Sequence, residues 1–179
     1  QYGPQSLGRY IGYLPQKPTL FDGTIAENIA RLTRDADDSK VVSAAQKAAA
    51  HEMILALPQG YDTVIDAGQV RLSGGQIQRI GLARALYDDP VILILDEPNA
   101  NLDNSGSLAL NHAVRRMKEA GRAVLIMAHR PAAIQECDML LVLDGGMRVA
   151  FGPKNEVLAG MVKNAGAIQQ VPAQAGGLG

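Results

Sequence analysis

The sequence predicts an α/β fold in which a parallel sheet is interrupted by an inserted helical subdomain. Two observations give the sheet. "VILILD" (Val91 to Asp96) is an unbroken apolar run ending in a carboxylate, the composition of a strand buried on both faces of a parallel sheet. "AVLIM" (Ala123 to Met127) repeats that composition after an intervening helical pattern. A third observation gives the insertion. From about Leu20 to Leu86 the pattern is helical, and this block breaks the alternation of strands and helices.

In chain order, "RYIGYLP" (Arg9 to Pro15) has strand composition and stops at a proline. "TIAENIARL" opens a helix, with Thr24 as N-cap and Glu27 three residues on as a capping box. The Ala-rich run "SKVVSAAQKAAAHEMILAL" is expected to be one helix capped by Ser39, and "PQGYDT" ends it. A helix is expected from about Gly75 to Tyr87, then the Val91 strand. Another spans about Ser105 to Ala120, with Leu110, Val114 and Met117 on one face and Gly121 as its stop. After "AVLIM" come a short helix opened by Pro131 and the strand "MLLVL". "LDGGMRVAFG" reads as a hairpin turn between two strands, and an amphipathic helix covers Asn155 to Val162. The Gly-rich end, "VPAQAGGLG", reads as a loose tail.

Bulk composition narrows the function. The 179 residues suffice for one domain with a sizeable core. Lys+Arg 17 against Asp+Glu 18 gives a net charge of -1, with no nucleic-acid footprint. The single cysteine, Cys137, excludes an internal disulfide framework and fits a reducing compartment. No apolar run reaches the roughly eighteen residues of a membrane span, and no signal peptide opens the chain.

Candidate chemistry collects at strand ends. Asp96 stands where a buried strand meets solvent, and a carboxylate there can hold Mg²⁺ directly or through water. Glu97 follows and could polarise a water for attack on phosphorus. His129, after "AVLIMA", and Gln16, after "YIGYLP", also close strands. Each is a weak signal alone, since a lone histidine is more often structural. Together they are expected side by side along one edge of one sheet, in a single crevice. "LSGGQIQRIGLARAL" (Leu72 to Leu86) carries separate logic. Ser73, Gly74 and Gly75 would place a helix N-terminus, with its free N–H groups and partial positive charge, against an anion. The same three residues also suit a plain serine cap with a flexible glycine pair. No G-x-x-x-x-G-K-[ST] cradle occurs in the chain.

The stretches "GYLPQ", "LFDGTIAENI", "LSGGQIQRIGLARAL", "VILILDEPNANLD" and "IMAHRP" stand in the order and spacing of an ATP-binding cassette (ABC) ATPase. They resemble its glutamine loop, an exporter-type segment, the signature, Walker B with its glutamate and D-loop, and the histidine loop. The resemblance covers roughly Arg9 to Leu158 and implies a partial P-loop NTPase sheet with its helical subdomain. "HEMILALPQGYDT", "NANLD" and "FGPKNEVLAG" look like type I secretion exporters, the permease/ATPase proteins that move proteases and haemophores out of Gram-negative bacteria.

The resemblance implies a cassette over 1–163, with the helical subdomain at 20–86, sheet-containing parts at 9–16 and 87–163, and a flexible tail at 164–179. It implies that nucleotide is sandwiched between two cassettes, head to tail. Ser73, Gly74, Gly75 and Gln76 would serve the partner's ATP. Glu97 would orient the attacking water, Asp96 and Gln16 would hold Mg²⁺, and His129 would contact the γ-phosphate. Asp103 would be the D-loop aspartate. Walker A, upstream in this family, is expected to precede the chain, which alone would be inactive. Implied partners are a transmembrane domain in the same polypeptide, a periplasmic adaptor and an outer-membrane channel, at the cytoplasmic face of the inner membrane.

Some positions depart from the family pattern. Ile77 replaces a basic or polar residue. "IDAGQV" stands where exporters carry a Glu-containing glycine-rich segment, with Asp66 as a substitute, and Asn99 and Asn101 replace small hydroxyl residues. The rival readings are an importer subunit and a non-transport ABC ATPase of DNA maintenance or translation. Gln16 and Ser73 stand only 57 positions apart, too few for the long coiled coils of chromosome-maintenance ATPases.

Overall fold

The computed structural model describes residues 4–66, 72–99, 102 and 104–168. They fall into two compact units, 1–136 and 137–179, and the cassette expected over 1–163 runs across that division.

The first unit opens with α1 (Pro4–Tyr10) and β1 (Ile11–Leu14), so the strand expected from Arg9 begins two residues later. β2 (Gly23–Thr24) leads into α2 (Ile25–Ile29), whose N-cap is the expected Thr24–Glu27 capping box. α3 (Asp38–Lys47) is capped by Asp37, not Ser39. The Asp37 carboxylate accepts from the Ser39 and Lys40 amides, and a carboxylate reaches those donors with a formal charge that a serine lacks. The alanine run does not continue as one helix. It breaks at Ala49, which takes a φ of 48°, and α4 (His51–Leu55) restarts after it. β3 (Val64–Ile65) pairs antiparallel with β2.

α5 (Gly74–Leu86) starts one residue before the expected position and carries Ser73 as its cap. Then come β4 (Ile92–Asp96), α6 (Asn104–Glu119), β5 (Ala123–Met127) and the short helical turn Pro131–Ile134. The sheet is parallel, in the order β1-β4-β5. The helical block is therefore the crossover from β1 to β4, and α6 is the crossover from β4 to β5.

The expectation that β4 and β5 are buried on both faces is corrected. One face is packed: Leu14, Leu93 and Leu95 are fully buried in a core shared with Ile25, Ile29, Ile80, Leu110 and Val114. On the other face Tyr13, Ile92, Leu125 and Met127 are exposed. Strand alternation puts these residues on the side opposite the core.

The second unit is the expected hairpin of β6 (Met139–Asp144) and β7 (Met147–Pro153), followed by α7 (Lys154–Ile168). Its turn is Gly145-Gly146, both at positive φ, as a two-residue hairpin of this kind requires. α7 runs longer than the expected 155–162 and packs on the hairpin through Val157, near Gly152. The "VPAQAGGLG" tail lies outside the described residues. No helix among the described residues is long and apolar enough to cross a membrane.

Candidate nucleotide site

Parallel pairing brings the carboxyl ends of three strands together. β1 ends at Leu14, two residues before Gln16. Asp96 is the last residue of β4 and lies opposite Met127, and His129 follows two residues after β5 ends. Gln16, Asp96 and His129 thus occupy one end of one sheet, as the sequence reading expects. Catalytic groups of open parallel sheets sit at such ends.

Glu97 is the most constrained residue here. Its φ is 47°, in the left-handed region that costs a non-glycine residue about 1–3 kcal/mol. Its amide donates to the Met127 carbonyl at 2.9 Å, which ties the end of β4 to the end of β5. The carboxylate is largely covered and touches the exposed His129 ring through Nδ1. A carboxylate held beside an imidazole at a sheet end can orient a water and pass a proton. Asp96 is half-buried beside it.

No group of three or more metal-ligating side chains occurs among the described residues. That donor set still suits Mg²⁺ brought in with a nucleotide. Mg²⁺ keeps several waters and binds through one or two carboxylates plus substrate phosphates, so Asp96, with Gln16 at the same end of the sheet, could hold it.

At Ser73 the capping box is complete. The Ser73 hydroxyl accepts from the Gln76 amide at 3.2 Å, and the Ser73 amide donates to the Gln76 side chain at 2.8 Å. These two side chains shape the helix start, while the exposed Gly74 and half-buried Gly75 stand in its first turn, where amides lack partners in the helix. Asp103 and Asn101 lie outside the described residues, as does the 67–70 part of "IDAGQV".

The sequence reading missed Gln78. Its side chain is buried, and Nε2 donates to the Pro98 carbonyl at 3.2 Å, one residue beyond Glu97. The available signal was a glutamine on the stripe shared with Gly81, Leu82 and Ala85, which is buried throughout.

The sequence family described as ABC transporter matches residues 2–100, more than half of the chain. This chain belongs to the ABC transporter family. Members of that ATPase family hydrolyse ATP. It is 47% identical over 163 residues to the type I secretion system ATP-binding protein PrsD of Rhizobium meliloti (strain 1021), covering 91% of this chain and 28% of PrsD. It is 42% identical to the ATP-dependent lipid A-core flippase of Chromohalobacter salexigens, covering 89% of this chain and 27% of the flippase. A bacterial Atm1-family ABC exporter solved with ATP bound superposes with a TM-score of 0.79 at 34% identity, over 94% of this chain and 30% of that one. The chain therefore spans less than a third of the length of these relatives, and it carries the ABC ATPase fold of an exporter.

Proposed function

We propose that this chain is the nucleotide-handling part of an ABC exporter that powers type I protein secretion from the cytoplasmic face of a bacterial inner membrane. The observation that carries the ATPase reading is the Glu97 carboxylate against His129, where β4 and β5 are tied together by the Glu97 amide. Glu97 orients the water that attacks the γ-phosphate in line, and His129 holds Glu97 and contacts that phosphate. Asp96 and Gln16 would hold Mg²⁺, which when bound neutralises charge on the phosphates. Ser73, Gly74, Gly75 and Gln76 present the N-terminus of α5 to the nucleotide of a second cassette. Asp103 serves as the D-loop residue between the two, and the cassette extends over 1–163.

Secretion is favoured over lipid export by the 47% identity to PrsD against 42% to the flippase. In this reading the partners are a transmembrane domain in the same polypeptide, a periplasmic adaptor and an outer-membrane channel. The test is inactivation of the gene in its host, followed by comparison of extracellular proteins and outer-membrane lipid A. Loss of one or a few extracellular proteins with normal lipid A is expected. Retained secretion with lipid A held at the inner membrane would replace protein export by lipid export.

A further inference from the structure

We propose that Gln78 is a positioning residue for Glu97, kept for the geometry of the water-orienting carboxylate and not for the stability of the fold. This rests on the ATPase reading above and adds to it a residue of the signature helix that acts on the chain's own carboxylate.

Glu97 holds a left-handed φ of 47° immediately before a proline. Such a conformation persists only where surrounding structure fixes it from more than one side. Two grips are present. Ahead of Glu97, its own amide donates to the Met127 carbonyl on β5. Behind it, the Pro98 ring is fully buried and the Pro98 carbonyl accepts from Gln78 Nε2 on α5. The peptide unit before Glu97 and the one after the buried Pro98 are therefore anchored to different elements, which confines the backbone at Glu97 and with it the direction of its side chain toward His129.

The cost of the second grip is visible. Gln78 is 1% exposed, and its Oε1 has no hydrogen-bond partner among the described residues. A buried acceptor left unsatisfied destabilises a fold, and an apolar side chain of similar shape at the same place is neutral or better. An amide retained there despite its orphaned oxygen has its use in the single bond it makes. That bond ends on the residue next to Glu97. It also joins the helix whose N-terminus bears Ser73 to the segment that bears Glu97.

The experiment compares wild type with Gln78→Met in the complete gene product, measuring ATP turnover and thermal unfolding. Amide exchange at Glu97 is measured in the same two proteins. Methionine fills the volume without a donor or an orphaned acceptor. The expected result has three parts: an unchanged or raised Tm, faster exchange of the Glu97 amide, and kcat lowered on the order of tenfold or more with KM for ATP unchanged. A merely structural glutamine would give a lower Tm with kcat retained in the folded fraction, and that overturns the proposal. An unfolded variant overturns it as well, because the fold is held not to need the amide. Should wild type itself not hydrolyse ATP, the ATPase reading fails separately, and the Glu97 exchange rate alone decides whether Gln78 positions it.

Discussion

Arg31 and Arg84 cap each other's helices. Arg84 Nε donates to the Asn28 carbonyl at the end of α2, at 2.9 Å, while Arg31 Nε donates to the Arg84 carbonyl at the end of α5, at 3.1 Å. Each guanidinium then spreads over further carbonyls. Arg84 reaches Thr19 and the Asn28 side chain, and its plane lies over the Phe21 ring. Arg31 reaches Ala85 and Tyr87. Cations at helix C-termini are stabilised by the unpaired carbonyls there. Burial lowers the pKa of both groups, and each remains charged near neutral pH.

Arg84→Leu should accordingly destabilise the protein by about 3 kcal/mol, since three charge-assisted hydrogen bonds are lost and the Thr19 carbonyl loses its Arg84 donor. Arg84→Lys should rescue little, because a point charge cannot span three acceptors as a planar fork does. Urea unfolding of the three proteins checks this. A lysine variant as stable as wild type would show that charge alone, and not the fork, is what the site needs.

Two glycines should respond in opposite directions to alanine. A Cβ on Gly12 would stand 2.1 Å from the Ala85 carbonyl oxygen, so β1 and the end of α5 could not both keep their places. Gly12→Ala should cost at least about 3 kcal/mol. A Cβ on Gly160, inside α7, meets nothing within 4 Å among the described residues, and Gly160→Ala should stabilise α7 by roughly 0.5–1 kcal/mol. Thermal unfolding measures the first, and α7 amide exchange the second. A Gly12→Ala protein with unchanged Tm would remove the close approach of α5 to β1.

Asp89 carries an ionic strut with a defined pH window. Arg122 donates to it at 2.5 Å and Lys47 at 3.0 Å, and Arg122 foremost holds its pKa down to about 2. A carboxylate depressed from 3.8 in this way stabilises the fold above the unfolded value. That contribution is lost as pH falls through about 3.8 toward 2. The side chain is more than half exposed, so solvent screening limits the effect to about 0.5–1 kcal/mol at low salt. Stability of Asp89→Asn measured from pH 7 to pH 2 should converge with wild type at the acid end. A difference that persists unchanged at pH 2 would assign the effect to something other than the charge.

The parts of the fold legible in the sequence were those with a local cause. The Thr24–Glu27 box, the "GG" hairpin turn and the apolar runs of β4 and β5 each follow from neighbouring residues. The alignment of Gln16, Asp96 and His129 was legible as well, because all three close strands of one parallel sheet. What escaped was set by distant partners. The run from Ser39 reads as one helix until Ala49 turns left-handed between α3 and α4, and no residue in it is a helix breaker. The open face carrying Tyr13 and Leu125 cannot be read from an apolar run, which looks the same whether one face is covered or two. Gln78 reads as one more helix former until Pro98 is found beside it.

In the complete gene product, Glu97→Gln should retain nucleotide and lose turnover. The amide keeps the shape beside His129 and removes the base, a loss of about 10²–10⁴-fold. The 179 residues alone, with no G-x-x-x-x-G-K-[ST] cradle for the β- and γ-phosphates, should bind Mg-ATP no better than weakly. Calorimetry on the chain and ATPase assays on the variant test the two statements. Micromolar binding by the chain, or near wild-type turnover by the variant, would reassign the corresponding role.

Ser73 and Glu97 should act on different nucleotides, and a mixed dimer separates them. Ser73→Arg places a long cation in the space that the start of α5 needs against a partner's phosphate, while leaving that subunit's own Glu97 untouched. Pair one subunit carrying Ser73→Arg with one carrying Glu97→Gln. If α5 completes the partner's site, both lesions fall in a single composite site, the one built on the Glu97→Gln chain. The other site, built on the Ser73→Arg chain, is then chemically whole. If α5 served its own chain, each subunit would hold one damaged site and neither would turn over. Photo-crosslinking of labelled nucleotide to subunits of different size reads the outcome directly. ADP trapped on the Ser73→Arg chain is the expected result, with none on its partner. Damage at both sites would take the head-to-tail arrangement out of the mechanism and return Ser73 to its plain role as the cap of α5.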